Sequence, residues 1–233
     1  MIPKRKWPWV AQQNWKDILF IHTPVPYTTI RTYVPRPIEI DTYMGTCWVS
    51  IVLFQAKQSR LRMMPEFLSY PCFRQMNIRT YVRFGNERGV YFFSINVDDR
   101  FVQFGGRMAC MPYSRADMTI KRDRDTIHFT ASDIFGYPKG VVNVTYSPAT
   151  PVFTASDDSL AFFLTERYCI WMCRSNRIVK APILHSPWAL QKAEVTINAN
   201  EWLPLPITSE TIAHYASFKH AHIHPFEKIA LQI

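Results

Sequence analysis

Glycine is scarce in this chain. Seven glycines stand against seventeen prolines in 233 residues, a ratio that points to loops fixed by proline φ angles rather than by flexible backbone. Charge is thin as well. Charged residues make up 19% of the chain, beside 48% hydrophobic and 15% aromatic residues, which excludes a disordered chain or a coiled coil. No run approaches the roughly 18 apolar residues of a membrane-spanning helix. The opening MIPKRKWPWVAQQNWKDILF lacks an apolar core of the signal-peptide kind. The five cysteines, at 47, 72, 110, 169 and 173, form no paired framework. Cys169-Ile-Trp-Met-Cys173 has the wrong gap for CxxC, and no second pair completes a zinc site. Free thiols in a reducing, cytoplasmic setting with no membrane contact are therefore expected. GxGxxG, P-loop, GxSxG and HExxH patterns are also missing, so no cofactor and no metal is expected.

What is present is basic. The net charge is +9 and the isoelectric point is near 9.4. The positive residues are scattered, with the tightest cluster at Lys4, Arg5 and Lys6. No helix carries a basic stripe and no nucleic-acid-binding spacing occurs. A basic surface alone gives weak, salt-sensitive affinity for nucleic acid, and a small anionic molecule is the better partner.

The pattern along the chain is that of strands. NWKDILFIH reads as an extended run, a short helix or turn follows over Tyr27 to Val34, and Pro35 and Pro37 end it. GTCWVSIVLFQAKQ reads as a buried strand, and MMPEFLSYPCF as a proline-broken loop long enough to rim a pocket. MNIRTYVRFGNERGVYFFSINVD holds two alternating strands about a turn at Gly85–Gly89. Period-2 spacing sets Asn77, Arg79, Tyr81 and Arg83 on one face, with Ile78, Thr80 and Val82 on the other. A helix fits Phe101 to Met108, and a second follows the N-capping residues of DDSLAFFLTERY. CIWMCRSNRIVKAPILH folds as a hairpin about Ser175-Asn176, and further strands follow. One domain over 1–233 is expected, mainly β (α+β) with a few short helices.

Several residues have the chemistry for a site. Lys139, in DIFGYPKG, would need desolvation or a neighbouring cation to act as a nucleophile. A hairpin tip offers neither, so a solvated turn lysine is the simpler reading. His220, His222 and His224 alternate in HAHIH and share a strand face, yet no nearby carboxylate or cysteine completes a metal set. In LTERYC, Glu166 and Arg167 suit a structural pair, with Arg167 or Tyr168 aimed at a barrel mouth as the alternative. Arg79 lies among apolar strand residues, and Arg107 follows Gly105-Gly106, where the backbone can approach closely. Each could grip a carboxylate by paired hydrogen bonds. That carboxylate is either internal, with Glu166 and Asp117 as candidates, or a ligand's.

In order, NWKDILFIH, VPRPIEIDTYMGTCWVSIVLF, MNIRTYV, RGVYFFSINVD, GRMACMPYSRADM, FLTERYC, HSPWALQKAE and HYA span nearly the whole chain. Together they resemble the YqjF-like family of uncharacterised bacterial proteins, which in turn resembles acetoacetate decarboxylase. The resemblance implies an antiparallel β-barrel or cone around a buried pocket, and self-association as in the decarboxylases. It also exposes two departures. In the decarboxylases, two adjacent lysines follow a proline shortly after a Gly-Arg pair, and the neighbouring ammonium lowers the nucleophile's pKa. The matching stretch here, Gly106-Arg107-Met108-Ala109-Cys110-Met111-Pro112-Tyr113-Ser114, has a phenol and a hydroxyl where those lysines stand. The glutamate ahead of the NVRTYV-like motif is Gln75, and an amide cannot shuttle a proton as a carboxylate does.

The expectation is a pocket for a small acidic or carbonyl compound without the Schiff-base lysine. Arg79 and Arg107 would hold the anionic group, Tyr113 would take the nucleophile's place, and Gln75 and Asn77 would supply amide contacts. Glu166 and Tyr168 would stand at the rim, and no catalytic residue is assigned. The alternatives are an enzyme of another type in the same pocket (a non-Schiff-base lyase, isomerase or hydrolase) and a basic protein contacting nucleic acid.

Overall fold

In DILFIHT and CWVSIVLFQA, side chains of both parities are apolar, the mark of strands covered on both faces. The computed structural model describes residues 8–133, 140–174, 177–201 and 210–229. It sets these segments in β1 (Ala11–Val25) and β3 (Cys47–Leu61), two 15-residue strands at the centre of a large sheet. The remaining strands are β2 (Glu39–Ile40), β4 (Tyr70–Phe84), β5 (Glu87–Val97), β6 (Tyr113–Asp123), β7 (Thr126–Asp133), β8 (Val141–Pro148), β9 (Cys169–Arg174), β10 (Arg177–His185), β11 (Gln191–Asn200), β12 (Ile212–Ile223) and β13 (Glu227–Ile229). Three short helices interrupt them: α1 (Tyr27–Arg31), α2 (Arg100–Met108) and α3 (Leu160–Thr165).

Two strands fork. The C-terminal half of β5 pairs in parallel with β6, Ile95 opposite Tyr113, while its N-terminal half bridges to β9 at Val90 and Ile170. On β12, His214 and Tyr215 pair with β11, and Ala221 to Ile223 pair with β10. The wall β5–β4–β3–β1–β12 is thus shared by two closed rings. Strands β6, β7, β8 and β11 complete one of them, a nine-strand barrel. The ribbon β9–β10 completes the other.

Alternation along the wall decides what each ring contains. Leu19, Ile21, Ile51, Leu53, Met76 and Ile78 face the barrel and pack with Met118, Phe129, Val144 and Tyr146. The intervening Ile18, Phe20, Val52, Phe54 and Phe73 face the other way and pack with Trp188 and Leu190. A one-residue slip in any wall strand would exchange the two sets. Polar residues interrupt the second face at Gln75, Asn77 and Arg79 of β4.

The local signals hold with adjusted ends. The β4–β5 turn shortens to Gly85-Asn86, with Gly85 at φ +58°. Asp99 Oδ1 caps α2 by accepting from the Phe101 and Val102 amides at 2.8 and 2.9 Å. Ser159 caps α3 by accepting from Phe162 N at 3.1 Å. α1 stops at Arg31, which turns its guanidinium onto the Ile38 and Pro35 carbonyls. Lys139 and the Ser175-Asn176 turn lie outside the described residues. Among the described residues, no helix is long and apolar enough to cross a membrane.

Gly89 permits the β5–β9 approach. A Cβ there would lie 2.5 Å from the Cys169 carbonyl oxygen and 2.7 Å from the Trp171 ring, and Trp171 is fully buried. Gly89→Ala should lower unfolding stability by about 1–3 kcal/mol through this overpacking. Gly105→Ala, which meets open space in α2, should cost nothing. Urea denaturation of the two variants checks the difference.

Candidate active-site chamber

The ring closed by β9–β10 keeps a chamber of about 60 Å³, room for roughly four to six waters at 10–15 Å³ each. Its walls are apolar on β1 and β3, through Ile18, Phe20, Val52 and Phe54. The β4 side is polar, through Gln75, Asn77 and Arg79. Thr165, Arg167, His185 and Trp188 close the remaining side. Trp188 is pinned there: its indole donates to the Thr165 carbonyl at 2.9 Å and its amide donates to Glu166 Oε1 at 2.8 Å.

Two arginines line the chamber, the expected Arg79 and, in place of Arg107, Arg167. Arg167 donates from Nη1 to Asp41 Oδ2 at 2.6 Å and from Nε to the Phe163 carbonyl at 2.7 Å. Its guanidinium lies 4.2 Å from the Phe163 ring centre, and Arg88 approaches the same Asp41 oxygen at 3.5 Å. Arg167 is therefore neutralised. Arg79 is not. Among the described residues no carboxylate pairs with it, and its Nε and Nη2 are buried without a hydrogen-bond partner. It leans over the Phe20 ring at 5.6 Å. Burial lowers its pKa, partly offset by the Tyr81 phenol, but an arginine keeps its proton in a protein. The chamber wall thus holds one uncompensated positive charge. Asn77 Oδ1 and Arg167 Nη2 add further buried polar atoms without partners.

The surrounding imidazoles add no charge. Burial pulls His185 down to about 4, with the Lys219 and Arg79 cations acting in the same direction. Its Nδ1 donates to the Ser186 carbonyl at 2.8 Å. Behind Arg79, His22 Nδ1 sits 2.6 Å from Ser50 Oγ and 3.0 Å from the Tyr81 hydroxyl, which donates to the Leu164 carbonyl. Burial, then His214 and Arg79, hold His22 well below the ordinary imidazole range. Lys219 spends its ammonium protons on Ser186 O, Ser186 Oγ and Pro187 O.

A wider apolar basin of about 490 Å³ adjoins the chamber, and Gln75, Phe92, Ile170 and Ile183 line both. Tyr113 belongs to this basin, away from the Arg79 wall. The start of β6 packs the Tyr113 ring onto Gly106, where a Cβ would come within 2.3 Å of it. Burial pushes the phenol up to about 12.

The expected pairing of Arg79 with Arg107 is corrected. Arg107 lies on an exposed face of α2 and donates from Nε to the Tyr113 carbonyl at 2.9 Å, so it lines neither space. Glu166 and Tyr168 line neither as well. Glu166 holds the Trp188 amide and accepts from the Tyr168 hydroxyl, and the Tyr168 ring lies tilted against His185 with ring centres 4.7 Å apart. The suggested Glu166–Arg167 pair gives way to Asp41–Arg167, because Glu166 is already engaged. Asp117 is exposed on β6 and is no partner of Arg79. Arg167 is the site residue that spacing could not assign, since its position depends on how α3 meets β9. His220 and His222 turn their Nε2 atoms to 3.1 Å from each other, and His220 Nδ1 meets Asn14 Oδ1 at 2.6 Å. Among the described residues, no group of three or more metal-binding side chains gathers.

Residues 12–218 match the DUF2071 family, described as "Uncharacterized conserved protein". The uncharacterized protein YqjF of Bacillus subtilis (strain 168) is 34% identical over 226 residues, covering 94% of this chain and 93% of that protein. Among solved structures, the enduracididine biosynthesis enzyme MppR complexed with pyruvate aligns at a TM-score of 0.69 and 11% identity, over 97% of this chain and 92% of that one. An acetoacetate decarboxylase-like enzyme from Sphingomonas wittichii RW1 aligns at 0.66 and 9% identity, over 96% and 94%. An acetoacetate decarboxylase aligns at 0.62 and 14% identity, over 98% and 91%. These likenesses establish the fold, a decarboxylase-like barrel.

Two expectations follow from the buried charges. His185 and His214 both titrate near 4 in the folded chain, against 6.5 for a free imidazole, chiefly through burial. Between those values the unfolded chain binds protons that the folded chain does not, so stability falls as pH drops from about 6.5 to about 4. At pH 5 each histidine should cost roughly 2 kcal/mol relative to pH 7. Urea midpoints at the two pH values measure it, and His185→Gln should flatten the dependence. Asp41→Asn leaves Arg167 as a second unneutralised buried cation and should cost about 3–5 kcal/mol.

Proposed function

Because the chain belongs to the DUF2071 family and folds as a decarboxylase-like barrel, we propose that it binds a small acidic or carbonyl compound in the chamber, with the anionic group on Arg79. The observation that carries this reading is the half-buried Arg79: its Nε and Nη2 are out of solvent without a hydrogen-bond partner, and among the described residues no carboxylate pairs with it. An isolated buried charge costs several kcal/mol, and an anion placed against it recovers part of that cost through charge-assisted hydrogen bonds. Asn77 and Gln75 would meet the rest of the ligand, since Asn77 Oδ1 also lacks a donor. Arg167 supplies shape and a weaker field, its charge being held by Asp41.

The reading places no Schiff base in this site. Among the described residues no lysine lines the chamber or the basin, and the nearest buried one, Lys219, is fully engaged with three oxygens. The candidate nucleophiles are occupied too, with Thr165 Oγ1 donating to the Ala161 carbonyl at 2.7 Å. Binding, rather than decarboxylation through an iminium, is the function this chemistry supports. A cytoplasmic setting suits the five free cysteines.

Thermal-shift titration with pyruvate, acetoacetate and lactate tests the site. At least one should stabilise the wild type, and Arg79→Met should abolish the shift. The same variant should be as stable as wild type without ligand, or more so, because it removes an unpaired buried charge. Borohydride reduction with pyruvate should trap no lysine adduct. An adduct, or anion stabilisation undiminished in Arg79→Met, would overturn the reading.

A further inference from the structure

The chamber alone accounts for a ligand of a few atoms, yet it opens beside a much larger space of opposite character. The basin is several times the chamber's volume and apolar, with Leu61, Phe92, Val102, Ile183, Ile223 and Phe226 among its walls. Leu61 and Phe226 stay exposed, at 57% and 40%. Gln75, Phe92, Ile170 and Ile183 line both spaces and form the boundary between them. Farther out, a second apolar hollow of about 310 Å³ shares Leu61 and Val102 with the basin.

A water-filled apolar hollow of this size is costly to leave bare. Among the described residues lining the chamber, Arg79 is the one whose charge no carboxylate compensates, and it lies across the shared boundary from the basin. Charge at one end and apolar surface along the rest match an amphiphile, and they do not match a compact keto acid, which would leave the basin unused. The polar groups on the basin wall are few, chiefly Gln13, Gln75, Tyr113 and His224. Tyr113, its phenol pushed up to about 12 by burial, is uncharged at neutral pH.

Resting on the anion-site reading above, we infer that the ligand is a monocarboxylate with an extended apolar tail. Its carboxylate lies on Arg79 and its tail passes the Gln75–Phe92–Ile170–Ile183 boundary into the basin. The sign of the charge excludes amines, and the absence of a second uncompensated cation in the chamber disfavours dicarboxylates.

Calorimetric titration of the full chain with straight-chain carboxylates from acetate to decanoate tests this, with octanol and octylammonium as controls. Affinity should rise about fourfold per methylene, the factor expected for burying one CH₂, from butyrate to at least octanoate. Arg79→Met should remove binding at every length. Leu61→Glu and Phe226→Glu, both at exposed positions, should shrink the increment per methylene. Octanol and octylammonium should bind far more weakly than octanoate. If pyruvate or acetate binds through Arg79 but longer acids bind no tighter, the tail assignment fails and the small-acid reading stands. If octanoate and octanol bind alike and Arg79→Met changes neither, both fail together.

Discussion

The wall β5–β4–β3–β1–β12 is buried on both faces, and everything else in the molecule is arranged around that constraint. At the centre of the wall, β1 and β3 are apolar at consecutive positions, because their two parities belong to two different interiors. Such a strand cannot shift by one residue without moving a whole set of side chains into the wrong interior. That makes the wall rigid enough to hold a charged side chain largely out of solvent. A loop could not do it, since loops run over the surface to keep their own backbone hydrated.

The two arginines of the chamber show how context decides what a residue does. Both are largely out of solvent and both lean on aromatic rings. Arg167 has a carboxylate and a carbonyl on it, so it holds α3 and β9 against the wall, and its contribution is structural. Arg79 has neither. The Tyr81 hydroxyl is tied to Ser50, His22 and the Leu164 carbonyl, which fixes the bed beneath Arg79 and leaves its charge standing. Nearby imidazoles stay neutral because burial costs them more than any partner returns.

The strands and the cap of α3 were legible in the residues, because alternation, capping side chains and β-branched runs act locally; the decarboxylase-like architecture came from the family resemblance instead. The placement of Asn77, Arg79 and Tyr81 on one face of β4 followed from period 2 in the same way. What was not legible depends on contacts far apart in the chain. Arg107 looked equivalent to Arg79 because it follows two glycines, but α2 carries it to the surface. Glu166 looked like a partner for Arg167 until Trp188, more than twenty positions on, claimed it. Asp41, the true partner, lies 126 positions from Arg167, and no local pattern signals it. Tyr113 packs on Gly106 and opens onto the apolar basin, not onto the cation.

An unneutralised Arg79 also has a meaning for the lifetime of the protein. If an anion binds Arg79 as proposed, it raises by mass action the free energy needed to open the ring. Proteases that sample open forms would then remove empty copies faster than filled ones. The cellular amount of the protein would follow the supply of its ligand, with no separate regulator required.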